Sequence, residues 1–570
     1  MYYSRHRSNL INYCNYFNSI KYNCYFVFSK KAKLKKIQIY IYSLLLISIV
    51  GCAKRGSING GLKDTIPPVL KMSFPRNFST EFSSKSIKLT FDEYVKLKNV
   101  DKQLIISPPL SKKPQILPLT ASKSITINFL DSLQTNTTYS LNFGQSIEDN
   151  NEGNPYPQFK YIFSTGKFID SLSIQGKIKD ALEKKQSSSV TVMLYEMNEK
   201  FSDSAVYSTN PSYIAYSLEK DSSFKIDNIK AGNYFIIALE DKSSNYRFDP
   251  KNEKIGFIKN YITIPTDSLF EIKLFKEANK TKFFKPIQSS DCSAIVGYEG
   301  DIKNPKLTLK RGQEVIPSLI TKIPKKDSLQ IWFKPFKIEK STVDSLQLSC
   351  TTIDYTKDFT FKIKAQKHDS LNISAITSKI LSLNEDFLLR TNLPLSKIDE
   401  TKLRLIKKDS TSVPFKLEYD ELNLTLKLVF QKEPLEKYTL TVPEDAIFDF
   451  VGQTTSKSLN FDCETKSTSD YGNLLLNLEN AKLFPLIIEL TDKDGIVKYT
   501  YYSENSAPID FNLIEPGLYT LRIIYDDNKN KIWDSGNYLD KKQPERVVYF
   551  PTDIDVRANW DVQQTFILKE

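Results

Sequence analysis

Past residue 64 the apolar residues alternate along the chain: Ile87/Leu89/Phe91, Ile125/Ile127/Phe129, Val190/Val192/Leu194 and Phe359/Phe361/Ile363. Successive side chains of an extended strand point to opposite faces, so this pattern describes half-buried antiparallel strands. No stretch carries the three-to-four spacing of a long amphipathic helix. Asn, Asp, Pro and Ser punctuate the strands as turn residues. A chain of 570 residues exceeds what one core accommodates. Short strands in blocks of about 100 residues therefore predict an all-β protein built of tandem β-sandwich modules.

Internal repeats set the boundaries. Tyr139-x-Leu141, Ile147-x-Asp149 and Gly153 recur as Tyr438-x-Leu440, Ile447-x-Asp449 and Gly452. A second pair agrees at more positions. Gly232-x-Tyr234 stands nine residues before Asp241, and Gly517-x-Tyr519 nine before Asp526. Each is followed by D-x-[SN]-x-N-x-x-[FW]-D: Asp241, Ser243, Asn245, Phe248 and Asp249 in one, Asp526, Asn528, Asn530, Trp533 and Asp534 in the other. Pro265-Thr266-Asp267 then answers Pro551-Thr552-Asp553. So ordered an agreement reads as duplication.

Residues 64–167 open on Pro67-Pro68, include Phe91-Asp92-Glu93 and close on Phe163-Ser164-Thr165-Gly166. With their Y-x-L and I-x-D signature they resemble the bacterial Ig-like domain of the SbsA type. Residues 370–466 resemble it too, without the Pro-Pro opening and with Gln453 where Asn is usual. Phe224-x-Ile226-x-x-Ile229-x-x-Gly232-x-Tyr234 and Phe511-x-Leu513-Ile514-x-x-Gly517-x-Tyr519 resemble the carboxypeptidase-regulatory, transthyretin-like β-sandwich, which assigns 168–276 and 467–570. Residues 277–369 form a further β module of no named type.

The leader carries a different signal. Residues 1–51 hold eight basic and no acidic residues. The formal charge of +12 rests on 79 basic against 67 acidic residues; without those eight, 71 remain against 67. A nearly neutral remainder speaks against a nucleic-acid partner. The basic cluster Lys30–Lys36 precedes an apolar run, Ile37–Val50, of fourteen residues. That is short for a bilayer span and suits a secretory signal. Ending in Ile49-Val50-Gly51-Cys52, the segment resembles the lipobox of bacterial lipoproteins, which implies lipidation of Cys52 and cleavage in front of it. The alternative is a plain signal peptide with an incidental Cys. Residues 1–29 fit no signal design, so translation is expected to begin near Lys30. Residues 52–63 read as a tether. Ala53 is not the Asp of inner-membrane retention, and Lys54 and Arg55 are basic where surface-export signals of Bacteroidota-type lipoproteins are acidic. The resemblance therefore implies an outer-membrane, lipid-anchored protein that faces the periplasm rather than the cell surface.

Candidate sites are few. Oxygen donors at positions 1, 3, 5 and 9 with a carbonyl at 7 suit Ca²⁺; Asp526, Asn528, Asn530 and Asp534 have that spacing, as do Asp241, Asn245 and Asp249. Lys531 replaces the Gly of position 6, Asn537 the Glu of position 12, and the earlier loop carries Ser243 and Arg247. An Asx-rich turn is the competing reading, and in either case the role is structural. Structural calcium is the one cofactor these loops suggest. Cys292, Cys350 and Cys463 lie outside the leader. Cys292 with Cys350 is the one intra-module pair, yet Cys350 and Cys463 continue apolar strand faces, so buried free thiols are expected. His368, in Gln366-Lys367-His368-Asp369, reads as linker rather than ligand. Glu148 to Glu152 reads as a solvated loop, and Gly144-Gln145-Ser146 is no nucleophile elbow. Histidine-pair metal motifs, G-x-G-x-x-G, a P-loop and C-x-x-C are absent from the sequence.

The expected function is that of a non-enzymatic outer-membrane lipoprotein serving as a modular scaffold or interaction protein of the cell envelope. Lipid fixes one end, the modules supply reach, and loops or edge strands bind an envelope protein. The alternative is a carbohydrate- or peptide-binding lipoprotein, with a glycan stacking on loop aromatics such as Tyr156, Tyr246 and Trp533.

Overall fold

The computed structural model describes residues 64–569, except 186–189, 200, 219–220, 301, 303–304, 338–343 and 353–354. Cys52, the leader and the tether lie outside the described residues. Among those described, no helix is long and apolar enough to cross a membrane; Val100–Gln103 and Ala205–Ser208 are single helical turns. The protein is a tandem array of β-sandwiches.

Every sheet draws its strands from one of five consecutive stretches: 70–164, 172–274, 282–363, 373–465 and 472–567. These are called the first to fifth modules below. The alternation that opened the sequence explains the layering. In Ser86–Leu97, Ile87, Leu89 and Phe91 are buried while Lys88 and Asp92 face water. One apolar face per sheet packs on its opposite number, and each such side chain removed from water contributes roughly 1.5–3 kcal/mol.

The first and fourth modules share a strand order. In the first, Leu70–Phe74, Ser86–Leu97, Ser122–Asn128 and Gln115–Leu117 face a sheet of Ile105–Ser107, Thr138–Asn142 and Lys160–Ser164. The repeated Tyr-x-Leu motif has a hydrogen-bonding cause. The Tyr139 hydroxyl accepts the Gln134 N–H at 2.9 Å, and that of Tyr438 accepts the Glu433 N–H at 2.7 Å. Thr165 and Thr465 hydroxyls donate to the carbonyls of the same two residues. Each tyrosine thus pins the turn five residues before it, the tyrosine-corner device of Greek-key sandwiches. The repeated Asp closes the next turn: Asp149 accepts the N–H groups of Glu152, Gly153 and Asn154, and Asp449 those of Val451 and Gln453. Gly153 and Gly452, at φ +78° and +91°, supply the left-handed residue those turns need.

The second and fifth modules share another order. In the second, Leu172–Asp180 lies between antiparallel Ser223–Ile229 and parallel Leu269–Leu274. In the fifth, Gly472–Glu479 lies between Ile509–Ile514 and Asp561–Ile567 with the same senses. The Gly-x-Tyr motif locks both. The Tyr234 hydroxyl donates to the Lys230 carbonyl and that of Tyr519 to the Glu515 carbonyl, while Tyr213 and Tyr499 accept the N–H of those same residues.

Neighbouring modules touch through side chains. Lys160 pairs with Asp227 at 2.8 Å across the first junction, Cys292 and Trp332 of the third module join the core of the fourth, and Lys466 meets Glu515 at 2.8 Å. The fifth module also packs against the second. Arg522 and Tyr549 donate to the Leu182 carbonyl, Lys184 pairs with Asp553 at 2.9 Å, and Tyr538 is buried in a cluster whose other members come mainly from the second module. The modules are therefore not an open string. Their fifth member returns to the second.

Candidate functional site

The two Asx loops leave the inner strands Gly232–Leu239 and Gly517–Tyr525. Asp241 accepts the N–H groups of Asn245 and Tyr246, and Asp526 those of Asn530 and Lys531. Asn245 and Asn530 in turn accept Arg247 and Ile532 N–H. Position 6 is left-handed in both, Tyr246 at φ +59° and Lys531 at φ +66°, which is why glycine is favoured there in loops of this spacing. Asn528 and Asn530 point their amide N–H₂ groups at Asp534. The oxygens that calcium would need are thus partly engaged in turn bonds.

Sequence reasoning missed the residue that closes each loop. The Glu253 carboxylate accepts Lys242 N–H at 3.1 Å and Asp249 N–H at 2.9 Å. Glu545 accepts Asp527 N–H at 3.0 Å and Asp534 N–H at 2.9 Å. Both glutamates are buried. Burial raises the Glu545 carboxyl above its ordinary value, with Asp534 and Asp526 adding to the effect against the two N–H donors. The correspondence was hidden by an insertion. Glu253 follows Asp249 by four positions and Glu545 follows Asp534 by eleven, seven more.

Those extra residues add to the contact with the second module. Tyr538 is 0% exposed, its ring centre 5.5 Å from Phe257 and 6.2 Å from Phe235. Lys541 lies over the Tyr538 and Phe235 rings at 4.2 and 4.3 Å and pairs with Asp203 at 2.6 Å. Gln543 donates to the Phe257 carbonyl, and Ser535 to that of Lys276. Tyr246 and Trp533, considered above as stacking aromatics, are half-buried against this cluster. Tyr156 is likewise half-buried against the first module's core.

A groove of about 1200 Å³ runs along the junction of the first and second modules. Its walls include three sheet-edge strands, Ile105–Ser107, Tyr213–Tyr216 and Ser223–Ile229. Asn142, Gln145, Gln158 and Gln175 offer amides along it, and Tyr216 an aromatic edge. Lys160 and Asp227 pair within it. Burial opposes ionisation of Asp227, but the ammonium groups of Lys160 and Lys225 outweigh it and hold the carboxyl below its ordinary value. Across the same junction the Asp170 carboxylate accepts the Thr138 hydroxyl, and the Asp170 main-chain carbonyl accepts the Asn228 amide.

Of the remaining candidates, Cys292, Cys350 and Cys463 are buried free thiols, so Cys292 and Cys350 do not pair. Glu148 and Asp149 differ from the solvated loop expected of them, at 5% and 1% exposure. Lys96 and Lys98 neutralise Glu148. Three main-chain N–H groups satisfy Asp149 and hold its carboxyl low against the cost of burial. His368 does lie between modules, but its ring meets Asp291.

Residues 64–165 match the family model of the bacterial Ig-like domain. No curated protein matches the chain. Among solved structures, the chain is similar to titin domains Z1Z2 in complex with telethonin (10% identity, 33% of this chain and 97% of that one, TM-score 0.13). It is also similar to alpha-2-macroglobulin from Escherichia coli (12%, 32% and 71%, TM-score 0.17). The S-layer protein SbsC overlaps more of it (10%, 86% and 67%, TM-score 0.15).

Proposed function

We propose that the chain is a non-enzymatic scaffold of the cell envelope, anchored in the outer membrane through lipidated Cys52 and facing the periplasm, which binds an envelope protein in the groove between its first and second modules. The observation that carries this reading is the groove itself. Three sheet-edge strands line it, the setting in which an extended partner segment docks, and side-chain amides beside them can read that segment's backbone. An Ig-like first module, a common interaction unit, agrees with it. So does the match between the second and fifth modules in strand order and hydrogen bonding, which favours duplication of a packing unit over elaboration of a reaction centre. The glycan alternative gains less support, because Tyr246 and Trp533 are half-buried in packing.

The test is photo-crosslinking in native membranes. A crosslinker at Gln158 or Gln175, both exposed on the groove, should capture one envelope protein, and one at exposed Lys416 of the fourth module should not. Equal capture at all three positions, or none, would overturn the assignment. In the same cells Cys52→Ala should release the chain from the membrane. Retention of that variant would remove the lipid anchor from the reading.

For the two Asx loops the favoured reading is a structural turn, supported by the N–H groups that already occupy Asp241, Asp526, Glu253 and Glu545. Millimolar Ca²⁺ added to the chelator-treated protein should produce neither heat nor a rise in Tm. A saturable heat that disappears in Asp534→Ala would assign the fifth module's loop to calcium instead.

A further inference from the structure

Asp291 and Cys292 form the turn between the strands Ile287–Ser290 and Ser293–Glu299 of the third module. His368 belongs to the segment that leads into the fourth. Its Nδ1 lies 3.0 and 3.1 Å from the two Asp291 carboxylate oxygens. One donor atom from each of Asp291, Cys292 and His368 falls within 4.8 Å of the others. Cys292 is fully buried and shares its cluster with Leu371, Ile373 and Trp332, so the turn is held where the two modules meet. Asp291 and His368 retain 18% and 22% side-chain exposure, which leaves a path to solvent.

One further observation bears on what these groups hold. His368 Nε2 is buried with no hydrogen-bond partner, an arrangement a folded chain rarely leaves uncompensated. One carboxylate, a thiol and an imidazole thus converge at the edge of an apolar core.

We propose that Asp291, Cys292 and His368 are a zinc(II) site clamping the third module to the fourth. Oxygen, sulfur and nitrogen donors are the set zinc accepts, and its tetrahedral shell needs only small approaches from donors already this close. On binding, the metal forms a bond to Sγ and the thiol proton leaves to solvent; neutral imidazole and carboxylate supply the second and third bonds. Ser290 Oγ, 3.4 Å from Cys292 Sγ, or a water completes the shell. The role is structural: ligands from a third-module turn and from the inter-module segment share one ion.

The experiment uses the full chain in detergent, stripped with chelator and titrated with Co²⁺ as the optical probe, then with Zn²⁺. One equivalent of Co²⁺ should give thiolate-to-cobalt charge-transfer absorption, bleached by Zn²⁺, with a rise in Tm. Cys292→Ser should abolish the absorption, and His368→Ala should weaken binding on the order of 100-fold or more. Cys350→Ser and Cys463→Ser should leave both unchanged. Circular dichroism of His368→Gln keeps the reading independent of whether Cys292→Ser folds. No thiolate absorption in the parent chain would leave an Asp291–His368 ion pair only, and absorption that persists in Cys292→Ser would place the metal elsewhere; either overturns the proposal.

Discussion

Tyr538→Ala should separate the fifth module from the second at a cost of about 3–5 kcal/mol, the range for truncating a large buried ring. The ring is fully enclosed among Phe235, Phe257 and Tyr207, and truncation also removes the surface on which the Lys541 ammonium rests. Urea unfolding should show a lower midpoint, and limited proteolysis should open the 526–546 loop first. Tyr538→Phe is expected to behave oppositely. The Tyr538 hydroxyl is buried without a hydrogen-bond partner, so removing it should stabilise the contact by about 1 kcal/mol. A Phe variant as weak as the Ala variant would mean that the hydroxyl, not the ring, makes the contact.

Glu253→Ala should cost about 2–6 kcal/mol, since two loop N–H groups lose their acceptor at roughly 1–3 kcal/mol each. Hydrogen exchange at Lys242 and Asp249 reports it directly, and unchanged protection there would refute the locking role. Glu253→Gln keeps one acceptor oxygen and should recover part of the loss. Glu545 adds a pH dependence. Its folded carboxyl is raised above the ordinary 4.5, so the folded state prefers the protonated acid. The stability this contributes is fully present below pH 4.5 and is lost as pH rises through the folded value. The parent chain's advantage over Glu545→Ala should therefore shrink between mildly acidic and neutral pH.

The sandwich architecture was legible because alternation is a local property: Ile87/Leu89/Phe91 announces one buried face whatever packs on it. The repeated motifs were legible for a similar reason, since Tyr139 and Tyr438 each bond a residue five positions away. The return of the fifth module was not. Its signal was present in Phe235-Ile236-Ile237-Ala238-Leu239, an unbroken apolar run that denotes burial on both faces of a sheet. Nothing local says which distant segment covers the second face. Glu253 and Glu545 escaped because a seven-residue insertion broke their register. His368 escaped because its partner Asp291 lies 77 positions away, and a lone histidine in a polar stretch carries no pattern.

The contact at Tyr538 also decides how the molecule carries load. Tension applied between the first module and the C-terminus has a short route, from the second module through Leu182, Asp203 and Tyr538 into the fifth. The third and fourth modules lie on a detour that stays slack while that route holds. In the Tyr538→Ala chain the detour becomes the load path, and the junction at Asp291, Cys292 and His368 bears the strain.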